Sequence, residues 1–271
     1  MGEDRTIVAD KLTELVGLPG IRVEANHFWM PRGLPVLESN GEWDMSPIEE
    51  AKLGEAIGFL SEDQRDKVTS WWLAVRKRAN SPNWDIASTC TVGGKPGLLL
   101  VEAKAHAAEL KKDGNDCYKA ATAGSKANHD QIGRALSAAS AELNETLDGW
   151  HLSCDSHYQI ANRFAWAWKL ASMGVPVVLV YLGFLGATEV NDLGEPFLDY
   201  ADWSRVVLEH SRNVVPERAW GQDIKVGPAT IKPLIRVWKQ EFPGKRRRCA
   251  VASIELECPQ SPQALDEEGA I

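Results

Sequence analysis

The sequence predicts an α/β fold, with a mixed central β-sheet flanked by helices. Two strand-like runs, Trp84 to Val92 and Gly97 to Ala105, lie on either side of Gly93-Gly94-Lys95-Pro96 and read as a hairpin. Val175 to Phe184 is almost wholly apolar and rich in β-branched residues, as expected of a central strand covered on both faces. Segments with apolar residues at helical spacing precede the hairpin and separate it from that strand, the order of a mixed α/β domain.

The elements follow in chain order. Residues 6–17 read as a short amphipathic helix, ended by Gly17 and the Pro19-Gly20 turn. Residues 21–45 are irregular and rich in Pro, Gly and Trp. Ser46-Pro47-Ile48-Glu49 is a capping box with proline at the first helical position, so a helix is expected to start there. A second box, Ser61-Glu62-Asp63-Gln64, opens a helix expected to reach Ala79, with Val68, Trp71, Trp72 and Val75 at helical spacing. Beyond the hairpin, the polar stretch 109–128 reads as a surface insertion or mobile loop. Residues 129–147 and 156–173 read as helices, the second carrying Ile160, Phe164, Trp168 and Ala171 on one face. Further helices are expected near 201–211 and 228–241, followed by a Pro- and Glu-rich tail that reads as disordered. The expected division is an N-terminal helical and irregular extension over 1–60, a domain with C-terminal helices over 61–250, and a tail over 251–271.

Composition narrows the classes. Hydrophobic residues at 44% and charged residues at 25% exclude a largely disordered chain, a collagen-like fibre and a small disulfide scaffold. With a net charge of −8 there is no whole-molecule basic field, so contact with a polyanion requires a local basic surface. Five cysteines at wide spacings, with no CxxC, argue for reduced thiols and a cytoplasmic protein. The N-terminal residues lack a basic-then-apolar leader pattern, and the longest apolar run, Val175 to Leu185, is too short to span a bilayer; no membrane partner is expected.

The chemistry is concentrated in Asp85, then 16 residues, then Glu102-Ala103-Lys104. Leu98-Leu99-Leu100-Val101 leads directly into Glu102, so these charges approach the core, where an unpaired charge is costly. Strand parity puts Glu102 and Lys104 on one face and Ala103 on the other. A hairpin centred between Gly94 and Lys95 sets Asp85 opposite Lys104 and diagonal to Glu102. Neighbouring Cβ atoms are then about 5–8 Å apart, within reach of one divalent ion bridging the carboxylates. A one-residue slip would destroy the arrangement. The plain alternative is a structural ion cluster.

The pattern resembles the PD-(D/E)XK nuclease superfamily, whose restriction-endonuclease-like core runs helix, strand hairpin, helix, strand; residues 62–184 follow that order. The resemblance covers under half of the chain. It implies that Asp85 and Glu102, with the backbone carbonyl of Ala103, hold Mg²⁺ or Mn²⁺, and that Lys104 positions or activates the attacking water. It implies phosphodiester hydrolysis of nucleic acid, DNA first, as an endonuclease; a homodimer is among the expected assemblies. The rival expectation is a non-catalytic nucleic-acid-binding or interaction protein that keeps the fold. One departure is that Pro82 stands three residues before Asp85. The family often adds an acid from a preceding helix. Glu49 is explained as a cap, Glu62 lies at a helix start, and Glu55 ranks ahead of Glu50.

A second constellation is Gln159, Asn162 and Arg163, spaced i, i+3, i+4 at the start of an otherwise apolar helix. By the same resemblance, Gln159 reaches the catalytic cleft and Arg163 contacts a phosphate bidentately; the alternative is an exposed first turn. His106 shares the strand face of Glu102 and Lys104 and is expected at the rim, and Gln131 is within possible reach. Expected polyphosphate contacts are Lys111, Lys112, Lys119 and Lys126 in the polar stretch, and Lys232, Arg236, Lys239 and the 245–248 basic run.

Overall fold

A computed structural model describes residues 5–31, 36–37, 43–44, 51–55, 58–76, 79, 81–111, 123–154, 157–187 and 195–239. In order they form α1 (Arg5–Val16), β1 (Ile21–Arg22), β2 (Trp29–Met30), β3 (Val36–Leu37), β4 (Trp43–Asp44), β5 (Ala51–Lys52), α2 (Glu62–Trp72), β6 (Asn83–Trp84), β7 (Ile86–Val92), β8 (Lys95–Lys104), α3 (Ala107–Lys111), α4 (Ala123–Thr146), α5 (Tyr158–Ser172), β9 (Val177–Leu185), α6 (Tyr200–Ser211), β10 (Ile224–Val226) and β11 (Ala229–Lys239). A seven-stranded mixed sheet runs β1-β7-β8-β9-β11-β10, with β2 also on β7. β7 and β8 are antiparallel, while β8, β9 and β11 are mutually parallel in sequence of pairing.

The sheet is sandwiched because its central strands are apolar on both faces. One face presents Leu98, Leu100, Leu179, Tyr181 and Ile231 to a core shared with Phe164, Trp166, Trp203 and Leu136 from α4, α5 and α6. The other presents Leu99, Val101, Val178, Val180 and Leu234 to Leu12, Leu15 and Val16 of α1. α1, β1 and β2 therefore belong to the central sheet and its cover. Among the described residues no helix is long and apolar enough to cross a membrane, and Cys90 and Cys154 are buried and form no disulfide.

Several expectations are corrected. The helix expected near 228–241 is instead the long strand β11, preceded by a Gly227-Pro228 turn from β10. Its fate is set by nine residues of parallel pairing with β9, from Ile231 opposite Val177 to Lys239 opposite Leu185. Pro233, which opposes a strand assignment, lies beyond the three-residue pairing with β10, where its carbonyl accepts the Gly221 N–H at 2.7 Å and no N–H is needed from the ring. The helix expected from Ser46 gives way to β5 at Ala51, paired with β6; residues 45–50 lie outside the described residues. α2 stops at Trp72 rather than Ala79. Gln131 Nε2 donates to the Trp71 carbonyl (2.7 Å), and Asn128 pairs with both backbone groups of Val75 (2.7 and 2.9 Å), fixing the exit of α2 in extended form. The polar stretch contributes α3 and the first residues of α4, while 112–122, and with them Lys112 and Lys119, lie outside the described residues, as do the basic run 245–248 and the tail. Arg236 is no polyphosphate contact: it is buried, and its Nε and Nη2 donate to the Val16 carbonyl at 3.1 and 2.9 Å, capping α1. Lys232 pairs with Asp223 at 3.0 Å.

Candidate active site

The site grows from the end of β8. Leu98 to Val101 bury completely, and the strand's next same-face positions are Glu102 and Lys104. The hairpin turn is the two-residue Gly93-Gly94 loop, both residues at positive φ (56° and 80°), the geometry that matches strand twist. Val92 thus pairs with Lys95 and Ile86 with Val101. The register is two positions from that expected, which removes Asp85 from its place opposite Lys104 and leaves it beside the last pair, Ile86 with Val101. Asp85 itself is a bend between β6 and β7, just outside the paired residues, while Glu102 and Lys104 share one face of β8.

Asp85 is exposed on one side, but its Oδ2 turns inward to accept the Ala103 N–H at 2.6 Å. Burial of the carboxylate, and then the neighbouring Glu102 charge, raise its pKa; the Ala103 amide, Lys104 and Arg163 oppose that rise. Glu102 is 1% exposed and saturated with donors. Its Oε1 accepts from the Lys104 ammonium and from Gln159 Nε2 (2.6 Å); its Oε2 accepts from Arg163 Nε (2.6 Å). Arg163, 5% exposed, is fully placed: Nη2 donates to the Asn83 carbonyl (2.6 Å), Nη1 to Asn162 Oδ1 (2.9 Å), and the guanidinium lies 4.6 Å from the Trp84 ring centre. α5 delivers Gln159 and Arg163 on one face because they are four residues apart.

Beside Lys104 the helix expected near 201–211, α6, packs on the sheet through Trp203, a residue the sequence did not single out. The β9 partner of Lys104 is Gly183, against which Trp203 of α6 packs; a Cβ at Gly183 would lie 2.6 Å from Trp203 Cγ. Trp203 Nε1 donates to the Tyr181 carbonyl at 3.2 Å. The signal available in sequence was a lone glycine in an apolar strand, which marks a close approach.

The structure thus brings together Asp85, Glu102, Ala103, Lys104, Gln159 and Arg163. Other candidates fall elsewhere. Glu55 lines a separate cleft with Glu62 and Arg65. His106 is not at the rim but fully buried at the turn into α3, where Glu109 Oε1 accepts the Ala105 and His106 amides (2.7 and 2.8 Å) and neither ring nitrogen has a hydrogen-bond partner. Gln131 is engaged at α2, Lys126 pairs with Asp130 at 2.8 Å, and Lys111 lies in α3. Among the described residues no three Asp, Glu, His or Cys side chains are placed to share an ion. No family model, curated protein or solved structure matches the chain.

Proposed function

We propose that the protein is a divalent-metal-dependent nuclease, acting on DNA before RNA, built on a restriction-endonuclease-like core of PD-(D/E)XK type. The observation that carries this reading is the meeting of Asp85, Glu102 and Lys104 at one end of the β7–β8 pair, with Gln159 of α5 bonded to the same carboxylate.

The donor set suits a hard cation. Asp85 and Glu102 are oxygen donors crowded enough that burial and mutual repulsion raise the Asp85 pKa, a strain that positive charge relieves. Asp85, Glu102 and the Ala103 carbonyl would hold Mg²⁺ or Mn²⁺, which supplies Lewis acidity toward the scissile phosphate and lowers the pKa of a bound water. Lys104 supplies a fixed ammonium to orient the attacking water and stabilise developing charge. Arg163 holds the Glu102 carboxylate in place through Oε2, and Gln159 does so through Oε1.

One observation favours the second reading, a non-catalytic nucleic-acid-binding or interaction protein. Both Glu102 oxygens are already occupied, Lys104 and Arg163 both pair with Glu102, and the same two cations offset the Asp85 charge nearby. Mn²⁺ titration by calorimetry, paired with cleavage of supercoiled plasmid, separates the two. Asp85→Ala and Lys104→Ala should each lower cleavage at least 100-fold, the size of one lost transition-state contact, while circular dichroism melts show a folded chain. Undiminished cleavage by both folded variants excludes this mechanism. A wild-type protein that binds no Mn²⁺ supports the second reading.

A further inference from the structure

Glu102 is the inner of the two acids that would share a divalent ion, and its oxygens are not free to do so. Oε1 accepts from both the Lys104 ammonium and Gln159 Nε2, while Oε2 accepts from Arg163 Nε. A carboxylate oxygen offers about two lone-pair directions, so Oε1 has none left while both donors stay. Oε2 keeps one direction, but it lies against a guanidinium that repels a second cation. Among the described residues no group of three Asp, Glu, His or Cys side chains offers an alternative ligand set. An ion shared by Asp85 and Glu102 must therefore take the place of a donor already present.

The three donors are not held equally. Arg163 is anchored four ways, by Glu102, the Asn83 carbonyl, Asn162 Oδ1 and the face of Trp84. Gln159 is neutral and does not repel an ion. Lys104 is held by one contact: among the described residues its ammonium has no hydrogen bond or ion pair other than that to Glu102. Its side chain is also the most open of the charged pairings, 9% exposed against 2% for Glu102 and 6% for Arg163. A compact ammonium on a four-carbon stem changes partners readily, whereas a guanidinium fork locked at several points does not. Lys104 acts on both acids at once. It is bonded to Glu102, and its charge opposes the rise in the Asp85 pKa. A cation felt by both carboxylates is what a shared ion would be.

We infer that the Lys104 ammonium is the resting occupant of the divalent-ion seat, and that ion binding is an exchange in which this amine gives up Glu102 Oε1 while Arg163 keeps its bond. The inference rests on the metal-dependent reading above and adds its regulation: the amine that serves the attacking water is withheld from it until an ion is bound. Two measurements on the full chain test this, Mn²⁺ titration by calorimetry and ¹H–¹⁵N spectra of the lysine and arginine side chains during Mg²⁺ titration. Lys104→Met leaves two donors on Glu102 and should bind Mn²⁺ about tenfold or more tightly than wild type, the worth of one charge-assisted hydrogen bond. Relief of repulsion alone would raise that affinity too, so the amine is followed directly. The Lys104 Nζ signal, identified by its absence from the variant, should move on Mg²⁺ saturation toward the signals of exposed lysines, while the Arg163 Nε signal stays in place. The exchange is overturned if wild type binds the ion with the Lys104 signal unmoved, if the Arg163 signal moves instead, or if folded Lys104→Met binds Mn²⁺ no more tightly; the metal-dependent reading survives all three. Mn²⁺ binding by Lys104→Met alone keeps the lysine in the seat and removes the nuclease reading. Binding by neither protein removes both.

Discussion

Replacing Arg163 with methionine tests whether the charges around Glu102 are as dry as their burial indicates. The change removes the Nε bond to Glu102, the Nη2 bond to the Asn83 carbonyl and the Nη1 bond to Asn162, while keeping an aliphatic chain over Trp84. Breaking a buried ion pair by deleting one partner costs about 3–5 kcal/mol. Lys104 and Gln159 remain on Glu102, which puts the loss at the lower end, and the orphaned Asn83 carbonyl adds to it; the expected total is about 3–4 kcal/mol. Urea unfolding at pH 7 reads this as a lower midpoint at an unchanged slope. A companion variant, Glu102→Leu with Lys104→Met and Arg163→Met, removes Glu102 and both of its cationic partners together, leaving only the partly exposed Asp85, and should recover to within about 1 kcal/mol of wild type or exceed it, because apolar replacements of a buried ion cluster are often neutral or stabilising. A loss below about 1 kcal/mol for the single change would show the cluster hydrated in solution. A triple variant less stable than the single one would show that these charges hold the fold together, removing the argument that they are kept for chemistry.

Other outcomes follow from the same packing. Gly183→Ala should destabilise by about 1–3 kcal/mol, since its new methyl meets Trp203, and thermal melts check this; an unchanged melt would mean that α6 does not rest on β9. Burial pushes the Cys90 thiol up to about 12, from 9.0 when solvated. Its contribution is therefore complete below pH 9 and is lost as the unfolded thiol ionises, at about 1.4 kcal/mol per pH unit. Chemical denaturation of wild type and Cys90→Ala between pH 8 and 11 should show their stability difference shifting toward the alanine variant at that rate. A pH-independent difference would place Cys90 in contact with water.

What sequence revealed, and what it withheld, divides along physical lines. The hairpin and α5 were legible because each carries one unambiguous period, β9 because it is an unbroken apolar run, and strand parity put Glu102 and Lys104 on one face. The register was misplaced because positive φ at both Gly93 and Gly94 favours the shorter loop, which took Asp85 away from its expected place opposite Lys104. β11 was misread because Ile231, Leu234, Ile235 and Trp238 also fit helical spacing and Pro233 argues against a strand; the waiting edge of β9, distant in sequence, decided it. His106 looked like a rim residue because nothing near it in the chain announces the bridge to Pro196 that helps to cover it. Arg163 appeared as a phosphate ligand, since no spacing rule foretells that a helix residue will close on a carboxylate 61 positions earlier.

The bond from Arg236 to the Val16 carbonyl joins positions 220 residues apart. During synthesis α1 leaves the ribosome well before the strand that carries its cap, β11. Until then the apolar side of α1 has no complete surface to rest on, and the second face of β8 and β9 stays uncovered. The order of assembly therefore runs against the order of translation: the sheet must close on β11 before the N-terminal helix can lock. Ribosome-stalled chains ending before Ala229 should leave residues 5–16 open to protease, and those extending well past Lys239 should protect them.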